Sequence, residues 1–360
     1  MVDCIPLILH VGHGKTGSSA IQSALALSTE ALARSGVIYP SDASDDRARK
    51  GHITSGNIRY PELDGRYWQA VQDNPQARAI LFSNEALFQQ LTAEPARVQG
   101  LIQAGVPVRI LLFTRNPLKH AVSSYGQAVK RGGATMGLEP FLQGYNLPAA
   151  VDRFLTAMND LGAEVLVRNY ANHSKRLLEC MAEMLQLDPG VMTKPPVQNV
   201  NRSLTPSEMH LQRCFNAAWG ERSSTFVSDA LCNGLPDLPF EGAPTAGRDA
   251  YDDFVVRVQP MLDRVNARIP AQEAYEMEPF ATVAAPADHD PGRLSFTPEQ
   301  LELLAQSISS RIPQDGQMAP FFKQIRGLRP GQKLTLDEVE TLRDFARIFR
   351  PGMKPLRRQP

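Results

Sequence analysis

Apolar positions in the first half of the chain gather in short unbroken runs, each followed by a stretch where they recur every three or four residues. Ile5 to Val11 is the first such run. It breaks into the glycine-rich Gly12–Gly17, after which Ile21, Leu25 and Leu32 mark a helix over Ser18–Arg34. Val37–Tyr39 gives a second short strand, Leu63–Gln72 a helix, and Ala79–Ser83 a buried strand leading to a short helix from Ala86. Val106–Thr114 is the most continuous strand-like run, as a central parallel strand buried on both faces requires. Asn116-Pro117 opens a helix toward Arg131, closed by Gly132-Gly133. Ala163–Val167 adds a strand before a helix over Ser174–Leu187. Strands alternating with helices predict an α/β fold, a doubly wound parallel sheet flanked by helices.

Past Gly190 the pattern weakens. Asn199–Ser203 reads as a polar loop, Thr205-Pro206-Ser207-Glu208 as a helix start, and Asn233–Arg248 and Ala281–Arg293 as loops rich in Pro, Gly and Asp. Extra C-terminal helices are expected over Thr297–Arg311 and Leu336–Arg347, each opened by a threonine with acids in the first turn. The basic run Lys354–Arg358 reads as a solvated end. The expectation is one domain over 1–360, with an α/β core in 1–190 and a helical and loop extension in 191–360.

Composition narrows the partners. Hydrophobic residues make up 42%, enough for a sizeable core, while Lys+Arg and Asp+Glu both total 38. That balance gives no broad basic field, so nucleic acid is not expected and any bound anion needs a local site. Cys4, Cys180, Cys214 and Cys232 form no C-x-x-C pair, which argues against zinc and a disulfide framework and fits a cytoplasmic location. The run Ile5–Leu9 is too short for a signal peptide or membrane span, and no membrane span is expected elsewhere.

The chemistry concentrates in loops that follow strands, where doubly wound sheets hold their ligands. Gly12-His13-Gly14-Lys15-Thr16-Gly17-Ser18-Ser19 joins a strand to a helix: its glycines admit close backbone approach, Thr16, Ser18 and Ser19 offer hydroxyls, and Lys15 offers a charge. A nucleotide-triphosphatase loop would carry lysine directly after the second glycine; here Lys15 precedes Gly17. After the strongest strand, Arg115 and, eight residues on, Ser123 can supply a fork and a hydroxyl for one phosphate. Taken alone, Arg115-Asn116-Pro117 also reads as an arginine beside a proline-started helix.

His10–Gln22 resembles the 5′-phosphosulfate loop of sulfotransferases that use 3′-phosphoadenosine 5′-phosphosulfate (PAPS), and especially the bacterial carbohydrate-type members with a K-T-G-[TS]-[TS] core. Arg115-Asn116-Pro117 with Ser123 is similar to that family's 3′-phosphate motif. The likeness extends over about Leu7–Arg131. It implies a P-loop-like sheet, PAPS as co-substrate, no metal, and sulfuryl transfer to a hydroxyl or amine of an acceptor. On this resemblance Gly12, Gly14, Thr16, Gly17, Ser18 and Ser19 line the 5′ side, Lys15 supports the leaving group, and Arg115 with Ser123 holds the 3′-phosphate. Glu85, in Ser83-Asn84-Glu85, stands where the family carries its base; it also suits a helix-start carboxylate. His52 is the second candidate base, or a solvent-exposed loop histidine.

Tyr170 matches an aromatic that touches adenine, or caps a strand for packing. Arg202 in Asn201-Arg202-Ser203 resembles a loop that closes over cofactor or acceptor, the usual R-K-G-x-x-G loop of cytosolic members being absent. The low aromatic fraction of 7% points toward a carbohydrate or glycoconjugate acceptor, whose identity, like the oligomeric state, is not legible in the sequence. A divergent P-loop kinase using ATP and Mg²⁺, and a non-catalytic nucleotide-binding member of the fold, are the rivals. Against the kinase, Ile110–Thr114 leads into Arg115 rather than an aspartate.

Overall fold

A computed structural model describes residues 4–41, 56–195, 202–225, 227–238, 242, 244–285, 294–311 and 333–334. In chain order the elements are β1 (Leu7–Gly12), α1 (Ser18–Leu27), α2 (Thr29–Arg34), β2 (Val37–Ile38), α3 (Leu63–Asp73), β3 (Ala79–Asn84), α4 (Leu87–Ala93), α5 (Ala96–Gln103) and β4 (Val108–Thr114). There follow α6 (Pro117–Arg131), α7 (Leu138–Gly144), α8 (Leu147–Asp160), β5 (Glu164–Asn169), α9 (Tyr170–His173) and α10 (Leu177–Met184). The remainder comprises α11 (Pro206–Trp219), α12 (Ser228–Gly234), α13 (Arg248–Asn266), β6 (Leu294–Ser295), α14 (Pro298–Arg311) and β7 (Lys333–Leu334).

The chain divides into two compact units. The first takes 1–120, 146–200 and 255–278, and the second takes 121–145, 201–254 and 279–360. The first unit is an all-parallel five-stranded sheet, order β2-β3-β1-β4-β5, flanked by helices. β1 lies at its centre with every residue buried, and β3 is equally buried, which explains why both are mostly apolar. Each Leu or Ile enclosed there stabilises the fold by about 1.5–3 kcal/mol. On one face Ile8, Leu81, Leu111 and Phe113 join Ile21, Leu25, Leu32 and Met181 in a single core cluster.

The helix expected over Ser18–Arg34 is two helices. Ser28 leaves helical geometry at φ −101°, and its hydroxyl accepts the Thr193 N–H at 2.8 Å instead of serving the helix. Helices α5, α7, α8 and the 19-residue α13 were not legible in the pattern; α13 carries Pro260 inside it, which obscures a helical reading. The helix expected over Leu336–Arg347, the run Lys354–Arg358 and the start of the Asn199–Ser203 loop lie outside the described residues. All four cysteines are free thiols. Among the described residues no helix is long and apolar enough to cross a membrane.

The second unit is built around a buried ion pair. Thr205 and Glu208 form the expected capping box on α11, and Glu208, wholly buried, also receives both Arg202 Nη atoms at 2.7 Å and Gln300 Nε2 at 2.7 Å. Arg202 spends its other donors on the carbonyls of Leu231, Ser203 and Leu235. Removing the arginine strands a carboxylate out of reach of water. Arg202→Ala is therefore expected to lower unfolding free energy by about 3–5 kcal/mol in a urea titration, and a change under about 1 kcal/mol would refute this account of the unit's core.

Candidate functional site

The sheet order sets the location. From β1 the chain crosses toward β2 on one side, and from β4 toward β5 on the other, so the carboxyl ends of β1 and β4 form the switch point where such sheets hold ligands. Register brings the ends level: Gly12 pairs with Phe113, and Val11 with Asn84 of β3. Three loops therefore leave adjacent strands at one height, carrying Gly12–Gly17, Glu85 and Arg115.

The loop after β1 has an unusual backbone. Gly14 and Gly17 both stand at φ +82°, and between them Lys15 stands at +56°. Left-handed geometry at a lysine costs about 1–3 kcal/mol and persists only where its surroundings enforce it. The enforcement is visible: Arg115 Nη1 donates to the Lys15 carbonyl at 2.9 Å, and His120 Nε2 lies 3.3 Å from the Gly14 carbonyl. The glycines flanking the loop's polar core leave little room for a side chain, and Gly17 also holds a left-handed backbone. A Cβ on Gly12 would come 2.5 Å from Ser18 Oγ, and one on Gly17 would come 2.4 Å from Leu177 Cδ2 and 3.1 Å from Tyr170 Cε2.

Buried polar atoms without partners gather at this loop. Thr16 Oγ1, Ser18 Oγ, both ring nitrogens of His13 and Nε2 of His10 are enclosed and make no hydrogen bond. Each such group costs free energy unless something answers it. Helix α1 adds to the imbalance. Its N-cap is Gly17, with no side-chain cap and no acid in the first turn, so a positive helix end faces the loop uncompensated. Hydroxyls, backbone amides and a lysine gathered at the start of a helix constitute a site suited to phosphate or sulfate.

Of the residues expected here, Gly12, Gly14, Lys15, Thr16, Gly17 and Ser18 form one loop, and Ser19, partly exposed, is the second residue of α1. Arg115 joins them through Lys15, and its guanidinium sits 5.5 Å over the Tyr170 ring, which itself packs on Gly17. Glu85, partly exposed in the turn between β3 and α4, abuts the same loop: its Cγ is 3.4 Å from the point a Gly12 Cβ would occupy. Ser123, partly exposed on α6, belongs to the second unit, as does Arg202, whose guanidinium is committed to Glu208. His52 lies outside the described residues.

Several supporting residues escaped the sequence. Asn57, buried, accepts from the Ser83 N–H and donates to Pro40, and Gly56 passes so close to Ser83 that a Cβ there would strike its carbonyl. Asn116, next to Arg115, accepts from Asn169 Nδ2 at 2.8 Å and the Glu276 N–H at 3.1 Å. Glu273 accepts from the Asn169 N–H and contacts His173 Nε2 at 2.9 Å. Glu278 accepts from Leu118 and Lys119 at the start of α6, and burial raises its pKa despite those two bonds. Asn116 stood inside a noted motif, but Glu273 and Glu278 return from more than 100 positions away and carry no local signal.

No family model, curated protein or solved structure matches the chain.

The histidines make the site sensitive to acid. His10 is buried in β1 with Nδ1 2.7 Å from Ser83 Oγ, and burial lowers its pKa to about 4. His13 is lowered to about 4 by burial, with Arg115 adding to the effect, and His120 falls well below its ordinary value. In the unfolded chain each would titrate near 6.5. Between pH 6.5 and 4 the unfolded chain thus binds more protons, and folding loses stability as pH falls, by about 3 kcal/mol for His10 alone. Urea midpoints should fall steeply across that window, and His10→Asn should flatten the slope. Equal slopes in both proteins would contradict the assignment.

Proposed function

We propose that the chain transfers a sulfuryl group from PAPS to a hydroxyl or amine of an acceptor. The observation that carries this is the cluster of orphaned buried polar atoms, Thr16 Oγ1 and Ser18 Oγ foremost, in a strained loop that ends on the uncapped start of α1. The resemblance of His10–Gln22 to a phosphosulfate loop supports the choice of donor. In this mechanism the loop amides and hydroxyls hold the 5′-phosphosulfate, Tyr170 borders the donor, and Arg115 meets its 3′-phosphate, the role the resemblance implies. The acceptor oxygen (or nitrogen) attacks sulfur as the bond from sulfur to the 5′-phosphate oxygen breaks. Glu85 takes the acceptor proton, and Lys15 offsets the charge gained by the departing phosphate. The products are the sulfated acceptor and 3′-phosphoadenosine 5′-phosphate (PAP). Only residues of the first unit enter this scheme.

One observation favours a second reading. A carboxylate beside the anion loop, as Glu85 stands beside Gly12, also suits a kinase that binds Mg²⁺ with ATP. Calorimetry separates the two. Under the sulfotransferase reading, PAP binds without metal, and 5′-AMP, which lacks the 3′-phosphate, binds far more weakly. ATP binding that requires Mg²⁺, with none for PAP, would favour the kinase. Once an acceptor is found, Lys15→Ala should lower turnover about 10²–10³-fold without unfolding the protein. Glu85→Gln should lower turnover yet leave PAP affinity within about threefold.

A further inference from the structure

We infer that His120 is a positioning residue: with Arg115 it forms a two-pronged clamp on consecutive loop carbonyls that aims the Lys15 and Thr16 amides at the bound anion. The inference rests on the loop being the anion site proposed above, and on three geometric facts. His120 Nε2 reaches the Gly14 carbonyl at 3.3 Å, and Arg115 Nη1 reaches the Lys15 carbonyl at 2.9 Å. Both side chains come from the single connection out of β4, so both carbonyls are drawn toward it. In a trans peptide the carbonyl of one residue and the N–H of the next point in opposite directions. Among the described residues there are no cis peptides, so drawing back the Gly14 and Lys15 carbonyls turns the Lys15 and Thr16 N–H groups to the far side of the loop together. Consecutive amides aimed one way around a left-handed residue form an anion nest, and Lys15 at φ +56° is that residue.

His13 braces the clamp. Its ring stands edge-on to His120 with centroids 4.9 Å apart, and edge-on to Phe88 at 5.7 Å, so α4 and α6 hold the imidazoles between them. The charged and titratable groups felt by the pair are each other and Arg115, and the Gly14 and His13 backbone and the Phe88 ring lie beside them. A carbonyl accepts but cannot donate, so the clamp requires the His120 proton on Nε2. A residue that merely filled space would have no such requirement.

The test compares His120→Gln, which keeps a donor, with His120→Phe, which keeps a flat ring without one. Each is titrated at pH 7.5 with PAP and separately with inorganic pyrophosphate, alongside melting curves of the ligand-free proteins. His120→Phe should bind both anions about tenfold more weakly, and His120→Gln should stay within about threefold of the unaltered protein. Unchanged binding by His120→Phe, or an equal loss in both variants, overturns the clamp. Pyrophosphate binding without PAP binding would end the sulfotransferase reading, and the pyrophosphate series would still decide the clamp. Failure of the unaltered protein to bind either anion ends both. Should His120→Phe not fold, ring ¹⁵N spectra of the unaltered protein decide: an Nε2–H tautomer at His120 supports the clamp, and an Nδ1–H tautomer excludes it.

Discussion

The parallel pairing of β1 between β3 and β4 is the constraint from which the rest of the site follows. A strand enclosed on both faces and both edges has no freedom to slip, because a one-residue shift would turn His10 and the leucines beside it to the wrong faces. Its end is therefore fixed at Gly12. The loop that leaves there must turn at once into α1, in a space bounded by Ser18 on one side and the turn holding Glu85 on the other. Glycine at positions 12 and 17 and the left-handed Lys15 are the local answers to that lack of room.

Stability and binding capacity pull against each other in this region. A fold seeking only stability would cap α1 with an acid and satisfy Thr16 and Ser18 internally. Instead the chain retains a positive helix end, buried hydroxyls and two imidazoles kept neutral by burial. The sheet beneath can carry that burden because its central strands β1, β3 and β4 are mostly apolar and closed off from water. In the second unit the buried Glu208 is answered by Arg202 and Gln300, and Asn216 by Ser223 and the carbonyls of Val129 and Ala134.

What could be read in the sequence was what local pattern dictates. The runs around Leu7, Ile80 and Ile110 announced buried strands, the glycines and Lys15 announced the loop, and Thr205 and Thr297 announced helix starts that do carry their capping contacts. Arg115 and Glu85 could be named because each directly follows a strand, and strand ends are where a parallel sheet gathers its loops. Residues that work through distant partners left no such trace. His120 looks like any residue on a helix until its ring is seen beside Gly14. Glu273 and Glu278 sit in a stretch without periodicity, and their importance appears only when β5 and α6 are folded against them. Arg202 shows the converse case, a plausible ligand contact by its surroundings in sequence, yet one whose every donor direction serves its own unit.

The return of residues 255–278 to the first unit has a consequence for how the molecule can be divided. The start of α6 is closed by Glu278, and the backbone leaving β5 is held by Glu273, so the sheet's working edge is completed by chain made long after the sheet itself. A fragment stopping near residue 200 would contain every strand of the sheet and every loop residue of the site, yet leave two amides of α6 and the Asn169 backbone N–H unanswered. The α/β layer is thus not a detachable module that acquired an appendage. It is a loop-closed object whose last stitch comes from downstream, and recombination or trimming that respects linear order would cut through it.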